Sequence, residues 1–157
     1  MNEQDLIIAC QNNDIVTVEK LIKENKIDFS KGNDYAIRLA MSNHYDKIVK
    51  LLLTVPSVNR SVNDNYLICA ASIAGFYEIV KMLLNDFGSD PTIDNNYPLR
   101  VTSSRGYYEI VELFLNDLRV LRSLSMEFLI DNNLVEILLH HFELEDEKEL
   151  EQYLKCI

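Results

Sequence analysis

The sequence has few of the residues that are typical of disulfide-linked, collagen-like or disordered chains, namely Cys, Gly and Pro. Its 157 residues include no Trp, 3 Cys, 4 Gly and 3 Pro, whereas 48% are hydrophobic. An odd number of widely spaced cysteines without a C-x-x-C pair predicts neither a disulfide framework nor a zinc site. So few Gly and Pro beside so many apolar residues are typical of a globular chain, which at this length can bury about two-thirds of its unfolded surface.

Long apolar runs and a basic amino terminus are also missing. No run approaches the length of a helix that spans a bilayer, and the chain starts Met-Asn-Glu-Gln-Asp, where a signal peptide would carry positive charge. We therefore expect an intracellular, cytoplasmic protein that does not bind a membrane.

Positive charge is scarce as well. The 15 Lys and Arg residues stand against 25 Asp and Glu residues, which gives a formal net charge of -10. Recognition of phosphate groups requires clustered basic residues, so nucleic acid is not expected as a partner. The excess of acid is greatest between Glu143 and Glu151, and this run predicts a solvated helix face.

What the sequence has instead is an internal repeat of 31 residues. Tyr35, Tyr66 and Tyr97 are separated by this interval (66 - 35 = 31 and 97 - 66 = 31). The same interval separates three Ile-Val pairs and three small residues: Ile48-Val49, Ile79-Val80 and Ile110-Val111, and Ala40, Ala71 and Thr102. Such a period predicts a solenoid, in which each copy buries its apolar side against its neighbours.

Each copy contains two predicted helices joined by a short turn. The first is short, and the second, at 46–53, 77–84 and 108–115, has apolar residues on one side and Lys or Glu on the other. Gly75 and Gly106 lie between the two helices, where a residue with positive φ ends the first helix, and His44 and Asn13 occupy the matching positions. We expect the repeat tyrosines to pack between neighbouring copies.

These residues resemble the ankyrin repeat family. Tyr97-Pro98-Leu99-Arg100 is similar to the family's Thr-Pro-Leu-His start, and Gly-Tyr-Tyr-Glu-Ile-Val-Glu-Leu-Phe-Leu at 106–115 is similar to its Gly-His-Leu-Glu-Val-Val-Lys-Leu-Leu-Leu second helix. The likeness runs from about Asp5 to Leu139, in copies shorter than the family's usual length of about 33 residues. The short copies also resemble ankyrin arrays encoded by giant DNA viruses of amoebae, which would place the protein in an infected host cell. The resemblance implies an all-α, ankyrin-type helical solenoid of stacked helix-turn-helix repeats with short projecting turns.

We expect a single ankyrin repeat domain over 1–157. Its parts are an N-terminal cap repeat at about 2–31, internal repeats at 32–62, 63–93 and 94–122, and a truncated repeat with a C-terminal capping helix at 123–157. In the last copy Val135 matches Val111 at an interval of 24 (135 - 111 = 24), so about seven residues would be missing. The capping helix would cover the last apolar layer with Leu150, and a frayed acidic tail is the alternative.

The sequence predicts no enzyme, and no catalytic residue, cofactor, metal or small-molecule substrate. Glycine-rich phosphate loops do not occur in it. His140 and His141 are adjacent, and adjacent residues on a helix point about 100° apart, which does not suit binding of one metal ion by both rings. Their expected role is a favourable interaction with the dipole at the end of a helix.

The family resemblance implies a non-catalytic protein-protein interaction module. It would bind an unidentified partner protein on the concave face made by first helices and turn tips, and we expect it to be a monomer. The alternative is a small regulatory inhibitor that occludes a host enzyme or transcription factor. Ile73 and Phe76 would be an apolar anchor if they are exposed together. The positions expected to bind are Asp34, Ser42, Asn43, Asn65, Ile73, Ala74, Phe76, Asn96, Ser104 and Arg105.

Overall fold

The computed structural model describes residues 3–24, 33–55 and 64–157. Every regular element in these ranges is an α-helix, which confirms the predicted all-α solenoid class. The helices are α1 (Glu3–Gln11), α2 (Ile15–Glu24), α3 (Asn33–Ser42), α4 (Asp46–Leu53), α5 (Asp64–Ala74), α6 (Tyr77–Asn85), α7 (Ile93–Ser104), α8 (Tyr108–Leu115), α9 (Leu118–Ser123), α10 (Met126–Asp131), α11 (Val135–His141) and α12 (Glu147–Cys156). The predicted second helices at 46–53 and 108–115 coincide with α4 and α8.

The first and second helices of a copy are joined by a turn of constant geometry. Its central residue has a positive φ of 54° to 73° in five copies: Asn13, His44, Gly75, Gly106 and Asn133. The next amide donates to the carbonyl five residues back, as from Phe76 N to Ala71 O at 3.0 Å. These bonds close each first helix with a Schellman motif, and they confirm the positive φ predicted for Gly75 and Gly106.

The last copy is shorter than the others by four residues. Gly106 and Asn133 are 27 apart (133 - 106 = 27), whereas Gly75 and Gly106 are 31 apart. The matching of Val135 with Val111 at an interval of 24 is therefore wrong by three residues. Three residues are close to one helical turn of about 3.6 residues, so both alignments place nearly the same face of the helix towards the core. Apolar spacing alone therefore does not distinguish the two alignments.

The chain divides into two compact units, Met1–Ser89 and Asp90–Ile157. In the first unit α1, α3 and α5 pack side by side as one row, and α2, α4 and α6 form a second row. Leu83 on α6 is 0% exposed, as the repeat pattern predicts. The two rows bury one apolar side each, which is why a single copy would not be stable alone. The single domain over 1–157 stays a prediction.

The second unit is less regular. After the pair α7 and α8, the short helix α9 follows, which the repeat pattern does not predict; α10 and α11 then form a shorter pair. Asp117 caps α9 by accepting a hydrogen bond from Arg119 N at 2.9 Å. The core of this unit is formed by fully buried apolar side chains: Phe114, Leu115, Val120, Leu129, Leu138 and Leu150.

The acidic C-terminal segment is a docked helix, α12, and not a frayed tail. Leu150 is 0% exposed, and the rings of Phe142 and Tyr153 meet at 4.5 Å between centroids. Asp146 caps the helix by accepting from Glu149 N at 2.9 Å, and the Glu149 carboxylate accepts from Glu145 N at 2.9 Å. The first bond satisfies an amide that a helix start leaves without an intrahelical partner, and the second fixes the residue before the cap.

The repeat tyrosines differ from the expectation. Tyr35 is 54% exposed, so the prediction that the repeat tyrosines pack between copies is wrong for this residue. Tyr66 is 41% exposed, and its ring contacts Arg38 of the preceding copy at the surface and not in the core. Periodicity shows that a position recurs, but it does not show whether the recurring side chain points into the core or along the surface.

Candidate protein-binding surface

The first helices of the first unit carry partly exposed stripes. On α5, Tyr66, Ala70 and Ile73 follow one another at helical spacing and are all at least partly exposed. On α3, Tyr35 and Ser42 occupy the positions that correspond to Tyr66 and Ile73. Because α3 packs beside α5, the two stripes are neighbours. We use the name first-helix surface for Tyr35, Arg38, Ser42, Tyr66 and Ile73.

Arg38 connects the two stripes. Its guanidinium carbon lies 4.3 Å from the centroid of the Tyr66 ring, a cation-π contact worth about 0.5–1 kcal/mol at an exposed site. The contact orients the ring, which is still 41% exposed. Arg38, Tyr35 and Tyr66 were not among the predicted binding residues; the recurrence of tyrosine every 31 residues is the signal that could have identified two of them.

Five of the predicted binding residues are exposed, as expected: Ser42, Asn43, Asn65, Ser104 and Arg105. Several of these polar side chains donate hydrogen bonds to carbonyls near the ends of their own helices. Ser42 Oγ and Asn43 Nδ2 both donate to Leu39 O, at 3.0 and 2.8 Å. Ser104 Oγ donates to Val101 O at 3.0 Å. These bonds satisfy carbonyls near the C-terminal ends of α3 and α7.

Ile73, Ala74 and Phe76 are half-buried. Ile73 lies on the first-helix surface, whereas Phe76 lies in the turn before α6, where its ring meets that of His44 edge-on at 5.5 Å. Their joint action as one apolar anchor stays a prediction. Asp34 belongs to α3, but its side chain is outside the described part of the chain.

The prediction that Asn96 is exposed is wrong. The residue is 1% exposed, and its Oδ1 accepts a hydrogen bond from Ser123 Oγ at 2.9 Å. Ser123 belongs to α9, the helix that the repeat pattern does not predict. Asn65, at the same repeat position (96 - 31 = 65), is exposed. Asn96 therefore stabilises the second unit and is not available to a partner.

Asn96 is also the last of three consecutive residues with left-handed backbone. Asp94, Asn95 and Asn96 have φ between 49° and 56°, and Pro98 lies in the first right-handed turn that follows. Asn and Asp tolerate this conformation better than other side chains do, and Pro fits the first turn of a helix. The Arg100 side chain donates to Asn95 O at 3.1 Å and to Asp94 O at 2.9 Å, which satisfies carbonyls of this turn.

The clearly shifted titratable groups have structural roles. Burial raises the pKa of the Cys10 thiol to about 11, which disfavours the reactive thiolate. A side-chain hydrogen bond from Arg119 lowers the pKa of Asp117, and one from Thr17 lowers the pKa of Asp14. The two carboxylates accept hydrogen bonds at helix starts, so their lowered pKa values result from contacts that stabilise these helices.

Within the ranges that the structure describes, no three His, Cys, Asp or Glu side chains are grouped as metal ligands. His140 and His141 occupy the last turn of α11. The described helices also include none with both the length and the apolar character needed to cross a bilayer.

In a comparison with protein families, residues 6–95 match the family described as Ankyrin repeats (3 copies). This range is more than half of the chain and extends from α1 to the start of α7. No curated protein and no solved structure matches the chain.

Proposed function

Because the chain belongs to the ankyrin repeat family, we propose that it is a non-catalytic module that binds a partner protein on its first-helix surface. Ankyrin repeats are generally protein-protein interaction modules, and the family is typically not enzymatic. The cytoplasmic location, the monomeric state and the preference for protein over nucleic acid belong to the same proposal, supported by the acidic composition and the cysteine usage.

The observation that carries the proposal is the exposed Tyr66 ring under the Arg38 guanidinium. Tyrosine and arginine are enriched among the residues that dominate binding energy, because a large flat side chain buries much area at a low entropic cost. Arg38 restricts the Tyr66 ring before a partner arrives. A restricted side chain loses less conformational freedom on binding, which favours affinity.

The chemistry of the partner follows from the α5 stripe. Tyr66 and Ile73 are seven residues apart, about 10 Å along the helix, and the small Ala70 lies between them. Because two large side chains flank a small one, we expect room above Ala70 for an apolar side chain of the partner. Arg38 and Ser42 on α3 supply the polar margin beside it.

A charge placed on the α5 stripe tests the proposal. Ile73→Glu is expected to abolish capture of the partner from a lysate of the natural source without lowering the melting temperature, because Ile73 is only half-buried. Val16→Glu is the matched control, since it introduces the same charge at a side chain that is 77% exposed on the second helix α2. Equal capture by the Ile73 variant and the wild type would refute the proposed surface.

Tyr66→Ala gives a second, milder test. We expect about tenfold weaker binding to the captured partner, measured by isothermal titration calorimetry. The same purified partner distinguishes the two candidate roles: an inhibitor lowers the partner's activity when the chain is added, whereas a simple binding module leaves it unchanged.

A further inference from the structure

The second helices of the second unit form a separate groove between α8 and α11. Its cavity volume is about 390 Å³, within the range of about 300–1,000 Å³ that is common for ligand sites. We use the name α8–α11 groove for it. Its lining consists of Tyr108, Glu112, Glu136, Ile137, His140 and His141.

The lining is suited to a cation with an apolar neighbour. Tyr108 is 62% exposed, and Glu112 and Glu136 are exposed carboxylates on the two facing helices. Ile137 adds an aliphatic side chain, and the six lining residues include neither Lys nor Arg. An aromatic face attracts a cation, and carboxylates accept its hydrogen bonds.

In the preceding repeat, a lysine of the chain itself lies over the tyrosine that corresponds to Tyr108. Tyr77 matches Tyr108 (77 + 31 = 108), and the Nζ atom of Lys81 lies 5.9 Å from the centroid of the Tyr77 ring. Lys81 matches Glu112 (81 + 31 = 112). The second unit thus has the aromatic ring but a carboxylate in place of the lysine, which favours a cation from outside.

We propose that the α8–α11 groove binds an arginine side chain of a partner protein, in a segment where an apolar residue neighbours the arginine. Arginine suits the groove better than lysine, because its planar guanidinium stacks on a ring and donates several hydrogen bonds in fixed directions. The acceptors are the carboxylates of Glu112 and Glu136, and the apolar neighbour contacts Ile137. This site lies on second helices, so its test is independent of the first-helix surface.

Binding is measured with a defined peptide and the full chain. The probe is acetyl-Gly-Leu-Arg-Leu-Gly-amide, titrated into isotopically labelled protein while backbone amide NMR signals are followed. The matched peptide has citrulline in place of arginine, which keeps the shape and removes the charge. We expect shifts centred on Tyr108, Glu112 and Ile137, and binding of the citrulline peptide that is weaker by about tenfold or more.

Variants on α8 assign the effect to the groove. Glu112→Lys recreates the arrangement of Tyr77 and Lys81, and we expect it to abolish binding of the arginine peptide. Glu109→Lys makes the same change of charge at an exposed residue of α8 outside the lining, so binding should weaken by less than about threefold through screened, longer-range charge alone. Glu112→Gln keeps the size of the side chain, so it stays informative if the lysine substitution perturbs the fold, and it should weaken binding by about tenfold.

Three results would overturn the proposal. The first is equal binding of the arginine and citrulline peptides, and the second is an equal loss in the Glu109 and Glu112 variants. The third is a set of shifts centred on the first helices, which would show that the peptide prefers the first-helix surface and leave the proposed function intact.

Discussion

The two units use the arginine at the same repeat position in different ways. Arg38 and Arg100 are two repeats apart (100 - 38 = 62 = 2 × 31). Arg38 reaches to Tyr66 on the neighbouring first helix, whereas Arg100 donates to Asp94 O and Asn95 O at the start of its own helix. The first unit therefore has an arginine on a surface between helices, and the second unit uses the equivalent arginine to satisfy its own backbone.

The cause of this difference lies in the turn before α7. Three consecutive left-handed residues present carbonyls that a regular helix start would not present, and Arg100 bonds to two of them. The same turn buries Asn96 against Ser123 of α9. The repeat thus determines where the arginine lies on its helix, whereas the local backbone conformation determines which group its side chain contacts.

The largest effects should come from the two cores, where the units are most alike. Leu83 and Phe114 occupy the same repeat position (83 + 31 = 114), and both are 0% exposed. Leu83→Ala should lower the free energy of unfolding by about 2–5 kcal/mol and Phe114→Ala by about 3–5 kcal/mol, because each leaves a cavity. Urea unfolding followed by circular dichroism measures both losses.

The same experiment tests whether the units unfold together. If 1–157 is one cooperative domain, each variant moves a single transition of the whole chain. Two transitions, of which each variant moves only one, would contradict the single domain and show that the compact units are independent folding units.

A smaller effect should separate the units at Asn65 and Asn96. Asn96→Ala removes the acceptor of the Ser123 hydroxyl in a buried site and should cost about 1–3 kcal/mol. Asn65→Ala makes the same change at an exposed side chain and should cost less than about 0.5 kcal/mol. Equal losses in thermal unfolding would mean that the buried hydrogen bond between Asn96 and Ser123 does not stabilise the second unit.

Much of the scaffold could be predicted from sequence because it rests on local chemistry. Apolar spacing gave α4 and α8, and the tolerance of Gly and Asn for positive φ gave the turns at Gly75, Gly106 and Asn13. The burial of Leu83 follows from the same spacing. These features depend on residues within a few positions of one another.

The candidate sites were harder to predict because they depend on distant residues. Asn65 and Asn96 look alike in the repeat, and only Ser123, 27 residues beyond Asn96, distinguishes them. The exchange of Lys81 for Glu112 is visible in the sequence, but the groove beside Glu112 also needs α11 in its observed register. The alignment from sequence spacing differs from that register by three residues.

A further small effect should distinguish two carboxylates at helix starts, Asp117 in the second unit and Asp14 in the first. Asp117 accepts from Arg119 N at 2.9 Å and lies 2.5 Å from the Arg119 side chain, whereas Asp14 accepts from the amide and the hydroxyl of Thr17. Asp117→Ala should cost about 1 kcal/mol at pH 7 through loss of the helix cap. The Asp14→Ala loss should be smaller, since Asp14 is exposed.

The pH dependence of the Asp117 effect gives the sharper measurement. Hydrogen bonding from Arg119 lowers the folded-state pKa of Asp117, so its carboxylate stabilises the folded chain above the unfolded pKa of about 3.9. This contribution is lost as pH falls through the folded-state pKa, where Asp117 becomes protonated. The stability difference between the wild type and Asp117→Asn, which keeps the cap acceptor and removes the charge, should therefore shrink as the pH is lowered from about 6 towards acid. A difference that stays constant from neutral pH to strong acid would show that the ion pair with Arg119 does not stabilise α9.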